Sequence, residues 1–129
     1  MTRGAISLSL LAGAALTLGS CSGPVAGDLT VSLVTPNSDD GAVLVKVTAS
    51  ESKEVTGASV ACSGCQIFLE QPSATELRAV ITGTVAAGPL LRVSVTDTKS
   101  PSSYTVQIQQ VASRTYQLRS TGGYSLTVQ

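Results

Sequence analysis

The sequence predicts an all-β fold, an antiparallel β-sandwich or jelly-roll of roughly 8–10 short strands. Short runs alternate apolar and polar residues with a period of two, as half-buried strands do. Turn-forming Gly, Pro, Asn and Asp residues recur roughly every 10–12 residues between these runs. Only 3% of the residues are aromatic and 12% are charged. A period of 3.6 residues is not sustained anywhere after Cys21, which argues against a βαβ arrangement.

The alternation predicts the strands in order along the chain. We expect strands at 29–33, 43–48, 55–61, 66–70, 76–82, 91–95, 104–109, 116–118 and 124–128. A further short strand is expected near 84–86, and 110–114 is expected to form a loose helical turn or a bulge. Turns are expected at 35–41, 50–54, 62–65, 71–73, 87–89, 97–103 and 122–123. The repeated turns favour neighbouring strands that run antiparallel.

The first 20 residues have the pattern of an export signal. Arg3 supplies a positive charge, and residues 5–18 form an apolar segment of 14 residues. This segment is shorter than the roughly 20 residues that an ordinary membrane-spanning helix needs. It suits the apolar core of a signal peptide, which is about 7–15 residues long. The sequence therefore predicts a signal peptide over residues 1–20.

Leu18, Gly19, Ser20 and Cys21 end this segment, and together they resemble the lipobox of bacterial lipoproteins. The resemblance implies cleavage before Cys21, a diacylglycerol on its sulfur and usually a third chain such as palmitate on its amine. It implies a membrane-anchored protein of the bacterial cell envelope. Ser22, which is not an aspartate, favours the outer membrane if the source is Gram-negative. An ordinary signal peptide cut beside a cysteine is the alternative.

Three segments follow from this interpretation: a signal peptide over 1–20, the lipidated Cys21 with a tether over 21–27, and a β-sandwich domain over 28–129. Of the eight basic residues in the chain, Arg3 leaves with the signal, so seven remain against eight acidic residues and the net charge is −1. A domain with this balance has no electrostatic attraction for nucleic acid. The expected partners are the membrane, through the lipid, and an unknown protein or envelope polymer.

Residues 40–47 and 87–95 carry a second resemblance. Each begins near a glycine and continues as an alternating strand with aliphatic residues on one side. They look like paired strands of cohesin-like domains, whose jelly-roll sandwich also suits the predicted strand number. The resemblance implies only the fold, because we find no residues that would carry a cohesin's binding to its dockerin partner.

Cys62 and Cys65 form the one candidate for a chemical site. A structural disulfide is expected in an oxidising compartment, and Ser63-Gly64 allows the tight reversal that it needs. A redox-active pair is the second interpretation, but such a site places its first cysteine at a helix N-terminus, and the flanking residues here predict strands. Zinc would require more ligands than these two thiolates. The last alternative is that Cys62 and Cys65 remain reduced thiols.

Other chemistry has little support in the sequence. The chain has no histidine, so a Ser-His-Asp triad is impossible. The three lysines that a Ser-Lys mechanism could use lie in polar stretches. Calcium could be held if the loops that carry the following aspartates converged: Asp28, Asp39, Asp40 and Asp97. Neighbouring aspartates in a turn are ordinarily solvated, however, so we expect no enzyme, no cofactor and no metal.

The tyrosines and the C-terminal polar residues complete the candidates. Tyr104, Tyr116 and Tyr124 are expected in the core or at corners of the sandwich, and a binding strip is the alternative.

We therefore expect a non-catalytic interaction or structural module of the envelope. A module that binds an envelope polysaccharide or another ligand is the second hypothesis. A redox protein built on Cys62 and Cys65 is the third.

Overall fold

Two antiparallel sheets pack face to face in the structure, a computed structural model that describes residues 23–50 and 52–129. The antiparallel β-sandwich predicted from the sequence is therefore confirmed. The predicted signal peptide over residues 1–20 and the predicted lipidation site at Cys21 lie outside the described residues. In the described ranges, no helix is long and apolar enough to cross a membrane.

The described chain forms nine strands and one 3-10 turn, at Pro101–Ser103. The strands are β1 Gly27–Val34, β2 Asp40–Ala49, β3 Val55–Val60, β4 Cys65–Ser73, β5 Glu76–Val85, β6 Gly88–Val95, β7 Tyr104–Ser113, β8 Leu118–Arg119 and β9 Ser125–Val128. The first strand begins one residue before the predicted domain start, at Gly27. Each predicted alternating run is represented by a strand at or near its expected position.

Sheet A contains four strands in the order β3-β6-β1-β9, and sheet B contains five in the order β4-β5-β2-β7-β8. All the pairings are antiparallel. In sheet B, the central strand β2 pairs with β5 on one side and with β7 on the other. Chain neighbours β3 and β4 lie at the edges of different sheets, so the segment between them crosses from one sheet to the other.

The core follows from the period of two in the central strands. Val43, Val45 and Val47 on β2 are fully buried, whereas Leu44 and Lys46 between them face outwards and are only partly buried. The same alternation on the other strands fills the space between the sheets with aliphatic side chains. The fully buried large members are Leu33, Leu77, Ile81, Leu90, Leu91, Val31, Val43, Val45, Val47, Val55, Val85 and Val95. Burial of these groups is the main force that holds the sheets together.

The two ends of the sandwich carry different features. At one end, which we call the tether end, the chain enters β1 beside the loops at 50–54, 74–75 and 96–103. Ala49 and Ser50 donate backbone hydrogen bonds to Thr75 and Ser103 across these loops. The opposite end, which we call the disulfide end, carries the loops at 35–39, 61–64, 86–87 and 114–117.

The structure corrects two of the predicted turns and decides between a helical turn and a bulge at 110–114. The expected turn at 71–73 is wrong, because these residues continue β4, an edge strand whose register shifts between Glu70 and Ser73, where Pro72 lies. Asp40 and Gly41 were expected in the bend but begin β2. The segment 110–114 forms no helical turn: β7 continues to Ser113 with a register shift opposite Leu44 and Val45, which is the bulge alternative.

Candidate functional site

A row of apolar side chains crosses the outer, solvent-facing side of sheet B from edge to edge. Phe68 pairs with Val80, which pairs in turn with Leu44, and Ala112 pairs with both Ala42 and Leu118. These residues occupy the outward positions of all five strands. We call the set the apolar stripe, and its members are Phe68, Val80, Leu44, Ala42, Ala112 and Leu118.

The apolar stripe is exposed at both of its ends. Phe68 is 58% exposed and Leu118 is 73% exposed. Two shallow depressions, of about 320 Å³ and 120 Å³, share Leu44 and Val80 as lining residues and follow the stripe towards its two ends. The stripe belongs to two neighbouring rows of the sheet, since Leu44 pairs with Gln110 on β7 and Ala42 pairs with Thr82 on β5.

Charged residues border the apolar stripe on the side towards the tether end. The neighbouring row of sheet B pairs Glu70 with Arg78 and Arg78 with Lys46. The guanidinium of Arg78 lies 2.8 Å from Glu76 and 3.8 Å from Glu70. An apolar centre with a polar border is the usual anatomy of a protein interface.

Beyond Ala42, towards the disulfide end, a wider depression of about 400 Å³ continues this surface. Tyr116 lines it and is 94% exposed, with a positive φ of 66°. A non-glycine residue in this conformation is held by its surroundings, and the backbone N–H of Tyr116 donates to the carbonyl of Ser113. Tyr116 is therefore exposed in the loop after β7, whereas the sequence predicted the tyrosines in the core or at corners of the sandwich.

A buried polar cluster at the disulfide end ties the C-terminal strands to β2. The carboxylate of Asp40 is completely buried and accepts hydrogen bonds from Thr35 (2.6 Å), Tyr124 (2.7 Å) and Arg119 (3.0 Å). Arg119 also binds Asp39 at 2.8 Å. This hydrogen bond lowers the pKa of Asp39, and the pKa of Arg119 is raised in return.

Asp39 and Asp40 are predicted from the sequence as solvated turn residues, and for Asp40 this prediction is wrong, because its side chain is completely buried. The register of β2 shifts between Asp40 and Ala42, and this irregularity buries Asp40 on the same side as Val43 although the two are three positions apart. A buried carboxylate must be paired to avoid the cost of desolvation. The only signal in the sequence was an aspartate directly before an alternating strand. Its partner, Arg119, lies 79 residues away, so no local pattern could reveal the pair.

The sulfur atoms of Cys62 and Cys65 lie at disulfide-bond distance, 2.07 Å apart, with their Cα atoms separated by 5.6 Å. Both side chains pack against the core, and Cys65 begins a strand. Gly64 between them has a φ of +74°. Gly83 on β5 pairs with Cys65, and a Cβ there would collide with the carbonyl oxygen of Gly64. Glycine is required at Gly83 because two backbone segments meet there.

A second carboxylate organises the tether end. Asp97 is 4% exposed, and its carboxylate binds the ammonium group of Lys53 at 2.8 Å. It also accepts hydrogen bonds from the backbone N–H groups of Lys99 and Val25 and from the hydroxyl of Ser100. The bond from Lys53 is the main reason that the pKa of Asp97 lies well below its ordinary value, and the other three donors act in the same direction.

The remaining candidates are dispersed over the fold. Asp28 and Asp97 lie at the tether end, whereas Asp39 and Asp40 lie at the disulfide end, so the four aspartates considered for a calcium site do not converge. In residues 23–50 and 52–129, no group of three or more His, Cys, Asp or Glu could hold a metal ion. Tyr104 is buried, and its hydroxyl oxygen accepts the backbone N–H of Asp97.

A depression of about 550 Å³ forms a groove between β7 of sheet B and β9 of sheet A. Its lining combines apolar side chains with uncharged polar ones: Val106, Gln107, Ile108, Gln109, Thr121, Tyr124, Ser125 and Leu126. The hydroxyl of Tyr124 is already bonded to Asp40 and Asn37. The polar groups that line this groove are the amides of Gln107 and Gln109 and the hydroxyls of Thr121, Tyr124 and Ser125.

These features define the protein as a two-sheet antiparallel β-sandwich with an apolar outer face on its larger sheet. Comparisons with protein-family models, with curated proteins and with solved structures found no match.

Proposed function

We propose that the chain is a lipid-anchored protein of the bacterial cell envelope whose β-sandwich binds a partner protein through the apolar stripe. The anchor rests on the four residues that resemble a lipobox, which end in Cys21. The binding role rests on one observation: apolar side chains occupy adjoining outward positions on every strand of sheet B. Removing such a surface from water favours association.

The composition of the apolar stripe favours a protein over a sugar as the partner. Phe68 is its one aromatic member, and the rest are aliphatic. Carbohydrate recognition depends on stacked aromatic rings, whereas aliphatic and aromatic groups inside a polar border suit a complementary protein surface. The charged row of Glu70, Arg78 and Lys46 supplies that border on one side. Binding, not catalysis, fits the groups available, since the buried carboxylates of Asp40 and Asp97 are engaged with fixed cations.

Site-specific photocrosslinking in the source cells tests this proposal. A photoreactive phenylalanine analogue is placed at Phe68 or at Leu118, the two exposed ends of the stripe. We expect the same protein to be captured from both positions. The matched control position is Ser59, an exposed residue on the outer face of sheet A, where we expect no capture of that protein.

A second variant connects the capture to the apolar stripe. With the photoreactive group at Leu118, Phe68→Glu should lower capture at least tenfold, because a carboxylate cannot be buried against an apolar partner without a large cost. Thr105→Glu, which adds the same charge at an exposed position outside the stripe on the same face, should leave capture unchanged. Equal capture from Ser59, crosslinks only between two copies of the chain, or insensitivity to Phe68→Glu would contradict the proposal.

The groove between β7 and β9 supports a second candidate function, the binding of an envelope polysaccharide. Gln107, Gln109, Thr121 and Ser125 contribute neutral hydrogen-bonding groups to its lining, as recognition of a sugar requires. Co-sedimentation with purified envelope polysaccharide would support this function if Gln107→Ala and Gln109→Ala abolished it and Phe68→Glu did not. The opposite pattern would favour the stripe.

A separate measurement tests the proposed lipid anchor on Cys21. Mass spectrometry of the native protein should find an N-terminal peptide that begins at Cys21 and carries the added mass of two or three acyl chains. Cys21→Ser should release the protein from the membrane fraction, because about 0.8 kcal/mol is lost for each buried methylene. An unmodified N-terminus would contradict this part of the proposal.

A further inference from the structure

The residues that precede β1 lie against a loop of the folded domain. The carbonyl of Val25 accepts hydrogen bonds from the backbone N–H (2.7 Å) and the hydroxyl (3.1 Å) of Thr98. The backbone N–H of Val25 donates to Asp97 at 3.3 Å, and the ammonium group of Lys99 donates to the carbonyl of Gly23 at 3.0 Å. We call residues 23–26 the strap. The sequence predicted a short tether over 21–27, and these four bonds hold its residues 23–26 to the loop at 96–100.

The loop that holds the strap is itself rigidly placed. Asp97 is almost fully buried and is bonded to Lys53, to Ser100 and, through its backbone N–H, to the hydroxyl of Tyr104. The strap is therefore connected to the core through Asp97 and not only to a surface loop. The position of the strap is therefore fixed relative to the folded domain.

The strap lies very close in sequence to the proposed lipid. Cys21 is two residues before Gly23, and two extended residues span at most about 7 Å. A lipid on Cys21 would therefore keep Gly23 within about 7 Å of the membrane surface, and the loop at 96–100 lies next to Gly23. The strands run away from this end, and a strand of ten residues is about 33 Å long.

We infer that the strap holds the tether end of the sandwich against the lipid surface and keeps the apolar stripe, in the other half of sheet B, at a distance from that surface. This inference rests on the lipid anchor of the proposed function. Ala42 and Leu44 lie in the first half of β2, which begins at the disulfide end. Lys46, Arg78 and Glu70 separate them from the tether end. The stripe is thus accessible to a partner while the anchor stays in the bilayer.

Energy transfer on vesicles tests this orientation. The chain from Cys21 to Gln129 is coupled through the sulfur of Cys21 to a maleimide phospholipid in vesicles of phosphatidylcholine and phosphatidylglycerol at about 4:1. A fluorescent amino acid is placed at Ser102 near the tether end, at Ala87 at the disulfide end, or at Leu118 in the stripe, all exposed positions. An acceptor dye is carried on the lipid headgroups.

We expect transfer from Ser102 to be several-fold more efficient than transfer from Ala87 or Leu118. Ten Gly/Ser residues inserted between Ser22 and Gly23 should remove most of that difference, because a flexible linker of this length reaches about 17 Å. The strap itself is tested without lipid: the amide of Thr98 should be protected from hydrogen exchange in the chain that begins at Cys21. Removal of residues 21–26 should abolish that protection.

Equal transfer from Ser102 and Ala87 with the native tether, or the highest transfer from Leu118, would overturn the orientation. Rapid exchange of the Thr98 amide would overturn the strap. The vesicle result does not depend on lipidation in the cell, because the lipid is attached chemically. An unmodified Cys21 in native material would therefore refute the anchor while leaving the orientation measurement intact, so the two failures are distinguishable.

Discussion

Asp40 is the residue on which the closure of the disulfide end depends. Its buried carboxylate binds side chains from the β1–β2 loop, from β8 and from the segment before β9. β8 has two residues and β9 has four, so backbone pairing alone holds them weakly. The carboxylate connects these short C-terminal elements to the central strand of sheet B.

Replacement of Asp40 by asparagine should therefore destabilise the domain strongly. Asp40→Asn keeps the shape but removes the charge opposite Arg119, and breaking one partner of a buried ion pair costs about 3–5 kcal/mol. We expect urea unfolding followed by circular dichroism to show a loss of about 3 kcal/mol.

Asp39→Asn is the matched control for this variant. It removes the other carboxylate from the same arginine, but the side chain of Asp39 is 56% exposed and its pairing is screened by water. We expect a much smaller loss of stability. Equal effects of the two substitutions would show that burial of Asp40 is not what makes its pair important.

At the scale of elements, the disulfide closes the crossing between the two sheets. β3 ends at Val60 on the edge of sheet A, and β4 begins at Cys65 on the edge of sheet B. The bond between Cys62 and Cys65 restricts the short bend that joins them. We interpret its role as structural, because the second cysteine begins a strand and no helix is adjacent in the described chain.

Removal of this bond should weaken the domain without unfolding it. The closed loop is very short, so the loop-entropy relation gives a loss of only about 2 kcal/mol. Cys62→Ser combined with Cys65→Ser should lower the thermal midpoint while the far-ultraviolet circular dichroism of the sheets is retained.

A reductant supplies the control for the cysteine variants. It should destabilise the unaltered protein by the same amount and leave the double variant unaffected. Catalysed reduction of insulin disulfides by the unaltered protein, absent from the double variant, would contradict the structural interpretation and favour the redox alternative.

At the scale of the whole molecule, the stability of the fold should fall in acid. The pKa of Asp97 in the folded state is depressed, chiefly by Lys53, whereas in the unfolded chain it lies near the ordinary value of about 4. Between these two values the unfolded state binds more protons, so the free energy of unfolding decreases as pH falls below about 4. The stabilisation by Asp97 is fully present at neutral pH.

The variant Asp97→Asn measures how much the carboxylate of Asp97 contributes to the pH dependence of stability. We expect the difference in unfolding free energy between the unaltered protein and the variant to be constant above about pH 5 and to shrink as the pH falls below 4. Urea titrations at a series of pH values measure it. A difference that did not change with pH would show that the variant acts through packing alone.

The two ends of the molecule were not distinguishable before the strands were paired. The sequence places Asp28, Asp39, Asp40 and Asp97 near separate turns, but it does not show whether these turns lie close enough to share a calcium ion. Antiparallel pairing over the whole chain places them at opposite ends. The same pairing brings Phe68 and Leu118, 50 residues apart in the sequence, to the two ends of one stripe.

By itself the sequence determined the fold class and the approximate positions of the strands, because alternation and turn residues are local and act within a few neighbouring positions. It also marked Cys62 and Cys65 as neighbours that could bond. The tertiary structure decided which outward side chains lie together, that Asp40 is buried against Arg119 and that residues 23–26 lie along a loop. These depend on contacts between distant parts of the chain, and strand pairing that brings such parts together leaves no signal at the level of neighbouring residues.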